Sequence, residues 1–325
     1  MLVLTGPTAV GKSEVALRLA EGAGGEIVSV DSMQVYRGLD LGTAKPGATE
    51  RARVPHHLID ILELHESFDA ARFVQLAQAA VEEIRARGRQ PVLCGGTGLY
   101  FKAFLYGLSR GPEADPVLRA ELRKLPMAEL LAELAARDPE TYARIDRQNP
   151  RRVIRAVEVI RLTGGSFAEQ RVNWPERRAP AGATVVGLAR TPGDLQRRLE
   201  ARVEAMFERG LVAEVQGLLV RGLAANPVAM QALGYRQVVE HLRGERSLAE
   251  TIQLVKIRTR QFAKRQMTWF RRQLQVTWVH VEEEEPVEAI VQKVLRCWRE
   301  SESTQDRERT SHGSARPAGS GGPVP

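Results

Sequence analysis

Met1-Leu-Val-Leu-Thr5 runs directly into Gly6-Pro-Thr-Ala-Val-Gly11-Lys12-Ser13, and the helical stretch Glu14 to Glu21 follows. An apolar strand, the spacing Gly-x-x-x-x-Gly-Lys-Ser and a helix, in that order, describe a phosphate cradle. The glycines let the backbone bend so that several N–H groups point inward at an anion. The helix N-terminus adds partial positive charge. Lys12 supplies a full charge, and the Ser13 hydroxyl is placed to ligate Mg²⁺. Gly6, Pro7, Thr8, Ala9, Val10, Gly11, Lys12 and Ser13 are thus expected to bind a phosphate or diphosphate. The motif alone does not say whether that group belongs to a nucleotide.

Working outward, strands and helices alternate through the first hundred residues. Ile27–Val30 reads as a second strand ending at Asp31, and Asp69–Arg87 as a helix with apolar stripes. Pro91–Cys94 reads as a third strand closed by Gly95-Gly96-Thr97-Gly98, with a helix from Leu99 to Tyr106. Such alternation implies a parallel sheet covered on both faces, with ligands gathered at the carboxyl ends of its strands. Lys12 with Ser13, Asp31 with Ser32, and Thr97 all lie just past such ends. From Ser109 to about Ala183 strand signals vanish, arginine becomes frequent and helical spacing dominates. This reads as a helical insertion. Thr184–Leu188 returns to the sheet. Helices are expected at roughly 193–221, 228–243, 247–272 and 286–299, with a short strand at Val276–Val281. The expected division is a core of residues 1–109 and 184–299, an insertion of 110–183, and a disordered tail of 300–325.

Composition is ordinary for a soluble globular protein, at 43% hydrophobic and 27% charged residues over 325 positions. A net charge of +7 and a pI near 9.7 suggest a polyanionic partner. Cys94 and Cys297 have no partner spacing and read as free thiols in a reducing compartment. No run is apolar and long enough for a membrane span, and Leu2–Leu4 is too short for a signal peptide. A cytoplasmic protein is expected.

Three constellations could carry chemistry. Asp31, presented by a strand beside the cradle, suits a general base or a substrate-orienting carboxylate; capping of the next turn is the competing role. Gly95-Gly96-Thr97-Gly98 permits close approach of backbone and hydroxyl to a ligand. An ordinary ATPase would end that strand in Asp to hold Mg²⁺, so the glycine argues against simple ATP hydrolysis. Thr251 to Val281 carries Lys256, Arg258, Arg260, Lys264, Arg265, Arg271 and Arg272 with no acidic residue, and Ile252, Val255, Phe262 and Trp269 form an apolar stripe. An amphipathic basic helix suits a nucleic-acid backbone. His56-His57 lack partners at metal-ligand spacing and read as loop residues near the site. Trp174, Trp269, Trp278 and Trp298 read as core or interface.

Together these pieces resemble the tRNA dimethylallyltransferases, also called tRNA isopentenyltransferases. The resemblance runs in order through Gly6–Ser13, Val28-Ser-Val-Asp-Ser-Met-Gln-Val-Tyr36, Gly42-Thr-Ala-Lys-Pro46, Pro55-His-His-Leu-Ile-Asp60, Gly95-Gly-Thr-Gly-Leu-Tyr100 and Ala114-Asp-Pro116. It continues through Asn149-Pro-Arg-Arg152, Arg155-Ala-Val-Glu158, Gly210-Leu-Val-Ala-Glu-Val215, Gln231-Ala-Leu-Gly-Tyr-Arg236, Thr259-Arg-Gln-Phe-Ala-Lys-Arg-Gln266 and Thr268-Trp-Phe-Arg271. It implies a P-loop NTPase-like α/β fold with an inserted helical domain that clamps the anticodon stem-loop. It also implies a prenyltransferase that moves a dimethylallyl group from dimethylallyl diphosphate to N6 of adenosine 37 of tRNA, with Mg²⁺ held at Ser13. By the same resemblance the catalytic residues would be Asp31 as base, Thr97 against the diphosphate or the adenosine, and Lys12 with one of Arg198 and Arg202 against the diphosphate. Contacts to tRNA would come from Asp31, Ser32, Met33, Gln34 and Thr97, from Arg119 and Arg151, Arg152, Val153, Ile154 and Arg155, and from Arg236, Lys264 and Arg265. The zinc finger of eukaryotic relatives has no counterpart here, since Cys297 and His312 cannot supply its ligands; the bacterial type, as a monomer, is expected. Two other readings compete. A P-loop small-molecule or nucleotide kinase would leave the basic helix without a role, and a non-catalytic RNA-binding protein would leave the cradle unexplained.

Overall fold

In the computed structural model, which describes residues 1–108, 111–170 and 183–313, Leu2–Thr5 forms strand β1 and is buried at every position. Along the chain follow α1 (Lys12–Gly22), β2 (Glu26–Val30), α2 (Ala48–Arg53), β3 (His56–His57), α3 (Ala70–Ala86), β4 (Pro91–Gly95) and α4 (Gly98–Tyr106). Next are α5 (Pro116–Leu122), α6 (Met127–Arg137), α7 (Pro139–Arg144), α8 (Pro150–Thr163) and α9 (Phe167–Gln170). Then come β5 (Thr184–Ala189), α10 (Pro192–Glu208), α11 (Leu211–Val220), α12 (Tyr235–Leu242), α13 (Leu248–Gln273), β6 (Thr277–His280) and α14 (Val287–Gly313). Two compact units result: Met1–Leu105 with Arg177–Pro325, and Tyr106–Glu176.

The first unit is built on a six-stranded sheet in the order β3-β2-β4-β1-β5-β6. Each pairing is parallel, with Leu2 opposite both Val92 and Thr184. This is the expected P-loop-like α/β fold. Alternation along β1 sends Leu2 and Leu4 into a cluster with Val15 and Leu19 of α1 and Ile290 and Val294 of α14. The chain leaves β1, crosses over β4 to form β2, and later returns to form β5 on the other side of β1. The carboxyl ends of β1, β2, β4 and β5 therefore surround one crevice.

The second unit has its own core of Leu122, Leu130, Leu134, Val153, Ala156, Val157 and Ile160. Helix α8 is delimited by sequence signals: Asn149 caps it by accepting from Arg152 N–H, Pro150 opens it, and left-handed Gly164 ends it. This unit begins and ends earlier than the expected insertion of 110–183.

Several boundaries differ from expectation for local reasons. The helical stretch 193–221 breaks at Gly210, which takes φ +96° between α10 and α11. The stretch 228–243 becomes α-helical only at Tyr235, after Gly234 at φ +92°. The loop between β2 and α3 holds α2 and the two-residue β3, too short to show a period. Helix α14 continues through residue 313 where disorder was expected from 300. Residues 300–312 hold Glu, Gln and Arg and no Pro or Gly, which favours continuation. The remainder of that tail, with Arg171, Trp174, Arg177 and Arg178, lies outside the described residues. Among the described residues no helix is long and apolar enough to cross a membrane.

Candidate active site

The phosphate loop is shaped by its glycines and by side chains that hold its carbonyls. Gly6 has φ +140°, and a Cβ there would lie 2.6 Å from Leu188 O. Ala9 adopts φ +64°, unusual for a side-chain-bearing residue. Gly11, at φ +106°, is the N-cap of α1. Lys12 Nζ donates to Pro7 O at 2.7 Å, Arg198 Nε to Ala9 O at 3.0 Å and Arg190 Nε to Val10 O at 3.0 Å. In a trans peptide the N–H of the next residue points opposite to the carbonyl. Fixing the Ala9 and Val10 carbonyls therefore orients the N–H groups of Val10 and Gly11. The Thr8 N–H has a different partner, Gln266 Oε1 at 2.8 Å.

These groups open on a cavity of about 900 Å³ within the first unit. Thr8, Ala9, Gly11, Lys12 and Ser13 line one side, Asp31 to Gln34 another, and Arg198, Arg202, Arg265 and Gln266 are among the residues that line the remainder. Burial lowers the Lys12 ammonium from 10.5 to about 8; the Arg202 guanidinium pushes the same way and the Asp31 carboxylate opposes. Burial likewise lowers Arg202, again with Asp31 opposing. Arg202 Nε is buried with no hydrogen-bond partner among the described residues. Arg202 is half-buried, lines the cavity and has a buried Nε with no partner, so of the two expected arginines it is the better placed to meet an anion. Arg198 is occupied with the loop backbone.

One oxygen of Asp31 takes the capping role considered for it, and the other is left open to the cavity. Oδ1 caps the following turn, accepting from Met33 N–H at 2.8 Å and Gln34 N–H at 3.3 Å. Oδ2 makes no hydrogen bond among the described residues. Thr97 Oγ1 accepts from Ser32 N–H at 3.2 Å, so the turn after β4 is fastened to the turn after β2. A Cβ at Gly95 would lie 2.1 Å from Val30 O, which requires glycine at that strand end. The Gln34 amide is spent internally, accepting from Ser29 Oγ and donating to Thr43 O.

Several residues that stand in the quoted motifs, but to which the sequence assigned no role, hold the cavity wall. Glu214 accepts the N–H groups of Asp40 and Leu41. Tyr235 OH donates to Glu214 at 2.6 Å and accepts from Gly42 N–H at 3.2 Å. Lys45 Nζ, almost fully buried, bonds Tyr36 O, Asp40 and Asp60. Arg190 and Gln266 brace the loop itself. The signal was indirect: glycines at 6, 42 and 96, each crowded by a distant residue.

The histidine pair stands as strand β3. His56 lines the cavity, with Nδ1 against Val54 O at 2.7 Å, and His57 Nε2 meets buried Glu26 at 2.6 Å. Among the described residues no group of His, Cys, Asp and Glu could hold a metal. Cys94 lines the cavity floor, and burial pushes its thiol up to about 11.

The other expected RNA contacts are distributed. Arg236 is exposed and pairs with Glu240, while Lys264 is exposed and Arg265 is exposed at the cavity mouth. On α13 the buried line is Thr251, Val255, Thr259, Ala263, Gln266 and Phe270, which corrects the expected stripe except at Val255. Its basic face is also less free than its own sequence implied. Lys256 pairs with Glu204 at 2.5 Å and Arg260 with Glu200 at 3.7 Å, because α10 supplies the missing carboxylates. Within the helical unit Arg151 and Arg152 are exposed. Arg119 and Arg155 pair with fully buried Glu158 at 2.8 and 2.6 Å. Val153 is fully buried in that unit's core, on the inner face of α8, and so is removed from the expected contacts; Ile154 packs against the same core.

The family model for IPP transferases matches residues 34–273. The tRNA dimethylallyltransferase 1 of Citrifermentans bemidjiense is 45% identical over 86% of this chain and 91% of its own length. The tRNA dimethylallyltransferase of Desulforudis audaxviator is 47% identical over 87% and 92%. Among solved structures, the tRNA isopentenylpyrophosphate transferase of Bacillus halodurans has a TM-score of 0.69 at 38% identity, covering 94% of this chain and 98% of its own. A eukaryotic dimethylallyltransferase described as acting on tRNA has a TM-score of 0.71 at 27% identity, covering 86% and 73%. A phosphate loop, a facing carboxylate and near-full-length relatives converge, and the chain belongs to the IPP transferase family, the tRNA dimethylallyltransferases.

Proposed function

We propose that this protein transfers the dimethylallyl group of dimethylallyl diphosphate to N6 of adenosine 37 in tRNA and releases diphosphate. The observation that carries the reading is one cavity holding both the cationic phosphate loop and the uncapped oxygen of Asp31. The exocyclic amine of adenine is a poor nucleophile because its lone pair is delocalised into the ring. Asp31 takes the N6 proton as nitrogen bonds to C1 of the donor and the C1–oxygen bond breaks. The electron pair of that bond leaves with the diphosphate, which the loop N–H groups, Lys12 and Arg202 stabilise.

Strand β4 ends in Gly95, with no second carboxylate there for a nucleotide-bound metal. That favours a prenyl diphosphate over ATP in the cradle and disfavours the kinase alternative. Ser13 is exposed at the first turn of α1 and lines the cavity, and its hydroxyl makes no hydrogen bond among the described residues. One hydroxyl joined by diphosphate and water oxygens suits Mg²⁺, which would neutralise the leaving group. To reach N6 the base must leave the anticodon-loop stack. Exposed Lys264 and Arg265, with Arg151 and Arg152 of the helical unit, are the cations assigned to the RNA backbone.

The test is prenyl transfer by purified protein to an anticodon stem-loop with adenosines at positions 36–38, read by nucleoside mass spectrometry. Formation of N6-dimethylallyladenosine at position 37, and its absence with adenosine 37 replaced by guanosine, is the expected outcome. No product in the presence of Mg²⁺ and donor overturns the proposal.

A further inference from the structure

Gln266 has no part in the reaction as proposed, yet it is 7% exposed and both ends of its amide are hydrogen-bonded. Oε1 accepts from Thr8 N–H at 2.8 Å, and Nε2 donates to Gly96 O at 3.0 Å. The two partners belong to different walls of the cavity. Thr8 is in the phosphate loop after β1. Gly96 begins the turn whose Thr97 hydroxyl accepts from Ser32 N–H, beside Asp31. A single side chain thus bridges the turn that holds the leaving group and the turn that holds the base.

The Pro7–Thr8 peptide is gripped at both ends. Its carbonyl accepts from Lys12 Nζ at 2.7 Å, and its N–H donates to Gln266. The Lys12 ammonium has three donors to share between this carbonyl and an anion, whereas Gln266 Oε1 is the one partner of the N–H among the described residues. Gln266 is the anchor that is not shared. The fit on the other side is equally close. A Cβ at Gly96 would stand 2.3 Å from Gln266 Nε2, although the Gly96 backbone lies outside the left-handed region and would accept alanine. One turn farther along α13, Trp269 closes on Gly98, where a Cβ would lie 2.2 Å from the indole ring.

We propose that Gln266 is a positioning residue for prenyl transfer: its amide ties the Pro7–Thr8 peptide to Gly96 and so sets the separation between departing diphosphate and Asp31. The inference rests on the function proposed above. Because Gln266 sits beside Arg265 on α13, the element that presents cations to RNA is the one that fixes this separation.

The test is a set of single-turnover rates for Gln266→Leu, Gln266→Glu, Gly96→Ala and the double variant Gln266→Ala/Gly96→Ala against Gln266→Ala. Misplacing reacting groups by about 1 Å lowers rates by ~100-fold, and Gln266→Leu is expected to lose ~30- to 100-fold. Stem-loop affinity should stay within ~3-fold, since no RNA-facing cation is removed. Gln266→Glu keeps the acceptor for Thr8 N–H and should recover part of the rate. Gly96→Ala should be costly beside Gln266 and add little in the Gln266→Ala background, the non-additivity expected of groups in contact. Should Gln266→Leu fail to fold, the Gly96 cycle decides alone. Wild-type rates in Gln266→Leu, or equal Gly96→Ala effects in both backgrounds, overturn the proposal. Affinity for inorganic diphosphate, read without RNA, separates this from the function itself. If wild type transfers no prenyl group but Gln266→Leu still weakens diphosphate binding, the anchor stands and the assigned reaction falls.

Discussion

At the scale of single residues, the site divides labour within one carboxylate and between two arginines. Asn at position 31 keeps an oxygen to accept from Met33 N–H but cannot take a proton. Asp31→Asn should therefore lower the single-turnover rate at least ~100-fold while leaving the melting temperature almost unchanged; equal rates in the two proteins would remove Asp31 as the base. Arg202 carries a buried, unpartnered Nε, whereas Arg198 Nε is bonded to Ala9 O. Arg202→Leu should weaken inorganic diphosphate binding by ~10-fold or more and leave the ligand-free protein about as stable or more so, because a buried Nε without a partner has been removed. Calorimetric unfolding with and without diphosphate separates the two effects. Lys12, lowered to about 8 by burial, gives the site a pH signature. On the proposed function its cationic form binds the anion, so donor kcat/KM should hold below that value and decline as pH rises through it. Lys12→Arg stays charged across this range, and its profile should lose the alkaline limb, whatever its absolute rate.

At the scale of elements, α13 shows why a charge run must be read with its neighbours. Lys256 and Arg260 turn to Glu204 and Glu200 of α10, more than fifty residues away in sequence but adjacent in space. Lys264 and Arg265 have no carboxylate partner among the described residues. Each phosphate contact adds roughly 0.7 to 0.9 to the log–log salt slope. Alanine at both 264 and 265 should flatten the slope of stem-loop binding by about that much per residue, and Lys256→Ala should leave it unchanged; titrations across a range of KCl concentrations distinguish them. What could be read in advance follows the same division between local and distant. The phosphate loop is one unbroken stretch flanked by a strand and a helix, and Asp31 ends an apolar strand, so both were legible from neighbours in the chain. Gln266 grips Thr8 across a separation of 258 residues and Arg190 grips Val10 across 180. No period or spacing encodes such contacts; only the tight glycines at 6 and 96 hinted that something must approach. Strand β3 escaped notice because two residues carry no alternation.

At the scale of the molecule, two units with separate cores should fail separately. The helical unit depends on Glu158, fully buried and accepting from Arg119, Arg155 and Asp115 N–H. Burial pushes its carboxyl up, but the two guanidiniums and the backbone N–H outweigh this and hold it below the usual range. A lowered carboxylate contributes stability that is present above its ordinary value and is lost as pH falls through the native one. Acid should thus loosen this unit, and Glu158→Ala should reproduce the loosening at neutral pH by leaving an N–H and two half-exposed guanidiniums without their acceptor, a loss of about 1–3 kcal/mol. Trypsin reports it directly, since cleavage of a transiently opened unit tracks the population of its open form. Glu158→Ala should be cut within residues 106–176 roughly 5- to 150-fold faster than wild type, the range that about 1–3 kcal/mol of lost stability produces. Inorganic diphosphate binding should remain within ~2-fold, because every group assigned to it belongs to the other unit. Glu158→Gln keeps one acceptor for Asp115 N–H and should fall between the two proteins. If diphosphate affinity disappears together with protease resistance, the two cores melt as one and the division into independently stable units is wrong.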